Sequence, residues 1–588
     1  MKKKNILMLI ASCLCAIACN LDKEPLSQLS PDSFFSSASE LESFSNNFYL
    51  DLPGTSVYGE ESDMLIKDGL TDEMRGGRTI PASGGGWSFT SLRDYNTLLE
   101  YSSHCADETV RNKYNAVARF FRAYFYFEMV KRFGDVPWYD HQMGSTDPDL
   151  YKPRDSRDLV MTHVIEDLDY ASEHLSAKHD LYRVTKWTAL ALKSRACLFE
   201  GTFRKYHGVI FPEHDWQYYL QEAASAADEF MQTSGYSIYT GSGVDNSYRD
   251  LFASENAIDT EIILARDYDL GLGILHNATY YTLGNYGNPS MTRKMACTYL
   301  MADGSRFTDK SGWRTMAFVD ETQGRDPRMA QSIRTPGYKR IDSDKKEAPN
   351  FNNTITGYQP TKYMLGVKAE ADLFGKSFND LPLFRTAEVY LNYAEARAEL
   401  GLLTQGDLDR SIKHLRDRVN MPNLDLAEAN AHPDPYLESA ETGYPNVSGK
   451  DAGVILEIRR ERSVELFDEN FRYYDLIRWK NGQAFTHPYL GIYIPAPGMY
   501  DLDGDGSADV CFFEGTPPAT LPAGAIACKI NEKVFFTEGD HGYVLTNKNS
   551  PGLWNEERDY FYPIPINERS LTHGALTQNP GWDDHLDY

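Results

Sequence analysis

Cysteine is scarce, eight in 588 residues, and the five after Cys19 show neither CxxC nor Cys/His ligand spacing, so no zinc site is indicated. Positive charge is also short. The 59 Lys+Arg stand against 85 Asp+Glu, and a formal charge of −26 repels phosphate backbones, which argues against nucleic acid as a partner. The apolar run from Ile6 to Ala18 is only about 13 residues, below the roughly 20 that a bilayer core demands. Motifs of several enzyme classes are missing too. There is no HExxH and no GxSxG, and Gly375-Lys376-Ser377 has Glu370 where a phosphate loop needs glycine.

What is present is a large core in the making. Apolar residues make up 41% and aromatics 13% of a 66.7 kDa chain, enough for about four domains' worth of interior. Lys2, Lys3 and Lys4 followed by the short apolar run read as a signal peptide over 1–18. It ends Ala16-Ile17-Ala18-Cys19, which resembles a bacterial lipobox, so Cys19 is the expected lipidation site and 19–30 the lipidated tether. Several acyl chains on one residue would anchor the chain durably to a membrane. Of Cys105, Cys197, Cys297, Cys511 and Cys528, an odd number, at least one must stay unpaired; a bridge between Cys511 and Cys528 is left open.

The remainder, 31–588, reads as one domain, mainly α. Helical periodicity fills two blocks, 91–239 and 383–482, with segments at 107–133, 157–175, 185–206 and 216–232, then 383–400, 407–420 and 451–479. Gly134 followed by Pro137 stops one of them, and small residues such as Ala116, Ala123, Ala189, Ala191 and Ala196 allow close helix approach. Paired antiparallel helices of this kind predict a tetratricopeptide-like superhelix of about four helix pairs. Residues 240–380, 421–450 and 484–565, rich in Gly, Asn, Tyr and Pro, predict long irregular insertions with a few short strands, the kind of loop that carries function.

At this point a resemblance enters. The blocks Arg119-Phe120-Phe121-Arg122-Ala123-Tyr124, Tyr182-Arg183-Val184-Thr185-Lys186, Arg325-Asp326-Pro327-Arg328, Leu383-Phe384-Arg385-Thr386-Ala387-Glu388, Arg459-Arg460-Glu461-Arg462 and Tyr473-Tyr474-Asp475-Leu476-Ile477-Arg478-Trp479 occur in that order, with Gln578-Asn579-Pro580-Gly581-Trp582 near the end. Together they resemble the SusD/RagB family of outer-membrane lipoproteins. The resemblance implies a SusD-like domain on the cell exterior that binds a nutrient, most readily a glycan or oligosaccharide. It would pass that nutrient unaltered to a TonB-dependent, SusC-like outer-membrane transporter. The motif charges Arg122, Arg195, Arg385 and Glu388 sit among apolar neighbours, so buried ion pairs are expected of them rather than ligand contacts.

Sugars present apolar C–H faces ringed by hydroxyls, so a receptor needs aromatic platforms with polar groups at their edge. The loops supply candidates: Arg75, Arg78, Trp87, Tyr280, Tyr281, Asn285, Tyr286 and Trp313. The bland alternative for each aromatic is that it pins a loop to the scaffold, and Trp87, just before a helix start, is the most exposed to that objection. A more specific pattern is Asp501-Leu502-Asp503-Gly504-Asp505-Gly506-Ser507-Ala508-Asp509. Acids at positions 1, 3, 5 and 9, glycine at 6 and the Ser507 carbonyl at 7 gather hard oxygens for a structural calcium ion, although Phe512 stands where an EF-hand has glutamate. Two other functions remain in play, an exported glycoside hydrolase using paired carboxylates and a protein-interaction scaffold without a ligand of its own.

Overall fold

A computed structural model describes residues 34–586. The first helical block forms with little departure from expectation: α1 (Thr90–Tyr101), α2 (Glu108–Phe133), α3 (Arg157–His174), α4 (Lys186–His207) and α5 (Trp216–Thr233). Local chemistry sets these ends. Asp107, Ser156, Thr185 and Asp215 each accept a first-turn N–H, a cap worth about 1 kcal/mol. Gly208 ends α4 in the left-handed region.

The second block comprises α6 (Thr386–Glu399), α7 (Ile412–Arg418), α8 (Ala452–Glu465) and α9 (Arg472–Arg478). Successive helices α1 to α6 lie against one another, and α8 continues the series on α6, which makes the frame a tetratricopeptide-like superhelix. One close approach is at Gly201 of α4, where a Cβ would stand 2.7 Å from Leu220 Cγ of α5.

The structure corrects the second block in three places. The start of 383–400 is strand: β4 (Leu381–Arg385) pairs antiparallel with β2 (Ile262–Arg266). The 407–420 segment is broken at Ser411. The 451–479 segment breaks between α8 and α9, where Asp468 and Asn470 take positive φ. Groups from far away hold that break open: Tyr248 Oη donates to the Glu465 carbonyl at 2.7 Å, Lys362 Nζ to the Phe467 carbonyl at 2.6 Å, and the Gly59 N–H to Asp468 at 2.8 Å.

The insertions carry small sheets. Strand β1 (Leu65–Ile66) pairs with β3 (Ser290–Met291), and β5 (Leu490–Ile494) with β9 (Gly542–Leu545). A three-stranded sheet is built from β6 (Gly498–Tyr500), β7 (Val510–Phe513) and β8 (Ile526–Lys529). In the parallel β7/β8 register Phe512 lies opposite Cys528, one residue past Cys511, so the two thiols face opposite sides of the sheet. They are not bridged: all five cysteines among the described residues are buried and free.

Between helical frame and insertions runs a buried ion network. Arg385 reaches Glu261 (2.9 Å), Glu465 (2.7 Å) and Glu469 (2.7 Å), while Arg418 reaches Glu261 and Glu465. Arg328 joins Asp326, Glu461 and Glu465, Arg416 joins Glu461, and Lys362 joins Glu469. The expected pairs of the first block are there as well, Arg122 with Asp167 and Arg195 with Glu388. Burial alone would raise the Glu465 carboxyl, but Arg418, Arg385 and Arg328 outweigh it and hold the group well below the usual range. Glu465→Ala should therefore destabilise the protein by about 3–5 kcal/mol in urea unfolding, because three guanidinium groups lose a shared partner. A loss no larger than that from breaking the exposed Lys413–Asp417 pair would refute the assignment.

Candidate functional site

A cavity of about 580 Å³ opens where three insertions meet the frame. Its walls come from the short helix Arg293–Thr298, the turn Trp313–Thr315, the short helix Pro435–Glu438 and the stretch from Ala484 to Leu490, with Tyr543 of β9 closing one side. Trp313, half-buried, stands edge-on to Tyr436 with ring centres 5.9 Å apart. The Arg314 guanidinium lies over the Trp313 ring at 4.5 Å.

This turn is fixed by its own backbone. Arg293 donates to the Trp313 carbonyl at 2.9 Å, and Tyr543 Oη donates to the Arg314 carbonyl at 2.6 Å. Arg293 is itself paired with Glu321 at 2.8 Å. The cavity's buried carboxylates are also engaged. Asp63 accepts from Arg472 at 2.7 and 2.8 Å and pairs with Lys294 at 2.7 Å, and Asp434 pairs with Arg460. Burial would raise the Asp63 carboxyl, yet Arg472 and Lys294 together depress it well below the usual carboxylate range. The wall thus offers aromatic faces beside open polar groups, including Asp309, Glu441 and His487.

The sequence candidates divide. Trp313 lines the cavity. Tyr280, Asn285 and Tyr286 form a separate cluster: Tyr280 packs edge-on to Tyr286 (5.6 Å) and Phe374 (5.9 Å), and the Asn285 amide donates to the Tyr280 carbonyl at 2.8 Å. Tyr286 is 54% exposed. Arg75 lies at the surface, paired with Asp72.

For three others the expectation of a ligand contact is corrected by burial. Arg78, 7% exposed, pairs with Asp559 at 3.1 Å and stacks over Tyr562 at 4.5 Å. Trp87, 7% exposed, packs edge-on to Phe133 at 4.9 Å. Tyr281, 5% exposed, lies under Gly59, where a Cβ would come within 2.8 Å of its ring. None of these three keeps a face for a ligand. Tyr436, Tyr489, Tyr543 and Arg314, which do line the cavity, were not singled out by sequence reasoning; their only signal was a place in or beside a loop-rich insertion.

The acidic loop closes the β6–β7 hairpin. Carboxylate oxygens of Asp501, Asp503 and Asp509 lie within 4.8 Å of one another. Asp505 lies outside that cluster, its Oδ1 accepting from the Ser507 N–H at 2.7 Å. Burial, with the neighbouring carboxylates, raises Asp503 and Asp509 above the usual range. Repulsion of that kind is what a hard cation relieves, so Asp501, Asp503 and Asp509 are the residues that fit one. Cys19, the 1–18 leader and the 19–30 tether lie outside the described residues. No helix among the described residues is long and apolar enough to cross a membrane.

Comparison with known proteins gives this geometry a context. The profile of the SusD family matches residues 251–582, and one described as "starch-binding associating with outer membrane" matches 88–198. A SusD-like protein, P25, of Formosa agariphila is 22% identical over 522 residues, 82% of this chain and 90% of its own. A crystal structure of a SusD-like protein from Bacteroides fragilis superposes with a TM-score of 0.67 at 23% identity, covering 95% of this chain and all of that one. A SusD-like carbohydrate-binding protein, also from Bacteroides fragilis, gives 0.65 at 19% identity over 92% of this chain and 99% of its own. With more than half of its length matched by one family profile and its frame shared with these structures, the chain belongs to the SusD family.

Proposed function

We propose that this protein is a lipid-anchored receptor of the outer-membrane surface, facing the cell exterior. It binds a glycan or oligosaccharide nutrient in the Trp313 cavity and passes it unaltered to a SusC-like TonB-dependent transporter. The observation that carries the reading is the pairing in one cavity of partly open aromatic faces, Trp313 and Tyr543, with hydrogen-bonding groups at their edge. Sugar C–H faces pack on such rings while their hydroxyls meet Asp309, Glu441 and His487. Family membership supports it, since one structural relative is described as a carbohydrate-binding protein. Hydrolysis is the less favoured reading: Asp63 and Asp434, the cavity's buried carboxylates, are tied to arginines and so withheld from proton donation. The scaffold reading leaves the cavity without a purpose.

Titration of soluble glycans by calorimetry, with the recovered ligand analysed for cleavage, tests this directly. Trp313→Ala should weaken the best ligand at least about tenfold, about 1.4 kcal/mol, without shifting the melting temperature. Cleavage products, or an unchanged affinity in the variant, would end the proposal.

Anchoring is assigned to Cys19. Cys19→Ala should move the protein from the membrane fraction to the soluble one, and continued membrane retention would count against it. A structural calcium ion is assigned to the 501–509 hairpin, held by Asp501, Asp503 and Asp509. EDTA should then lower the melting temperature and added calcium restore it; indifference to both would remove the ion.

A further inference from the structure

A second cavity, about 370 Å³, lies within the helical frame and shares no lining residue with the first. Helices α2, α4, α6 and α8 and the break before α9 all contribute to it. Its hydrogen-bond inventory is one-sided. Arg195 directs Nε and Nη2 to Glu388 at 2.7 and 2.6 Å, but its Nη1 meets no acceptor among the described residues. Arg462 directs Nε to Asp475 at 2.8 Å and Nη1 to Asn392 at 2.9 Å, leaving Nη2 in the same condition. The Tyr124 hydroxyl, on a side chain 8% exposed, also meets no partner among the described residues.

The floor's carboxylates do not redress this. Both Glu388 oxygens already accept from Arg195, and Asp475 accepts from Arg462 with one oxygen and from Arg478 with the other. Three donors on side chains with little exposure, on residues that line one cavity, have no acceptor from the described residues and leave room there for a strong acceptor. Polar and apolar groups share the lining about equally, and the apolar part includes aromatic rings. The Phe471 ring lies 5.1 Å from the Arg195 guanidinium and 5.4 Å from that of Arg462, with Phe127 and Phe199 beyond.

The mouth carries the opposite sign. Exposed Asp51 and half-buried Glu128 line it, Glu128 paired with Lys131 and Asp51 accepting from Ser91 and Tyr95. They disfavour a second negative charge on anything that enters.

We propose that this cavity is a second ligand site, for an organic monocarboxylate with an apolar body about the size of an N-acylated amino acid. The carboxylate accepts from Arg195 Nη1, Arg462 Nη2 and Tyr124 Oη, and the body packs against Phe471, Phe127 and Phe199. Charge-assisted hydrogen bonds to two guanidinium groups offset its desolvation. The volume sits near the lower end of ordinary small-molecule sites. The proposal stands apart from glycan binding at Trp313, since the two cavities are disjoint.

Calorimetry on the full chain with N-acetylphenylalanine, against its neutral amide, tests it. The acid should bind saturably and the amide at least about tenfold more weakly, because an amide nitrogen faces donors where the carboxylate offers acceptors. Tyr124→Phe, which removes one oxygen and no volume, should weaken the acid about fivefold or more while leaving the melting temperature and the affinity for glycan unchanged. Three results overturn the site: no saturable binding of the acid at millimolar concentration, equal binding of acid and amide, or undiminished binding by Tyr124→Phe.

Discussion

An arginine taken out of water is tolerated only where carboxylates meet its N–H groups, and this fold takes many arginines out of water. Five buried cations, Arg328, Lys362, Arg385, Arg416 and Arg418, face five buried carboxylates, Glu261, Asp326, Glu461, Glu465 and Glu469. The partners come from the insertion before α6 and from the second helical block. Apolar packing alone would let that insertion slide over the frame, since burial of area has little direction. Bidentate guanidinium contacts have a fixed geometry and set its register. The Trp313 side of the cavity belongs to this insertion, so that wall is positioned by the charges beneath.

How much of this the sequence disclosed follows the range of the interactions involved. The helices between Glu108 and Thr233 were legible almost to the residue because caps, glycines and prolines act within a few positions. The break between α8 and α9 was not, because the groups that stabilise it, Gly59, Tyr248 and Lys362, lie hundreds of positions upstream or in another insertion. The sequence there shows continuous helical periodicity, and tertiary contacts override it.

The same distinction governs the cavity. Trp313 stood out beside a glycine in an open loop, and it lines the wall. Tyr436 and Tyr543 reach it from distant insertions, and nothing in their own neighbourhoods marks them. Arg78 looked available in a glycine-rich stretch, but residues near the C-terminus, Asp559 and Tyr562, fold over it. Loop composition points to regions, whereas the convergence of side chains is decided by the frame. The charged motif residues were easier, since a charge within an apolar helix has few acceptable fates, and Arg122 and Arg195 took the expected one.

The Trp313 turn has one further consequence. Arg293 and Tyr543, stacked on each other at 4.7 Å, hold its two carbonyls, so the indole is presented on a tied support rather than a free loop. Little rotational freedom is left for the side chain to lose. For any ligand that packs on this indole, the entropic penalty would then fall mostly on the ligand, and stiffer ligands would be favoured over limp ones.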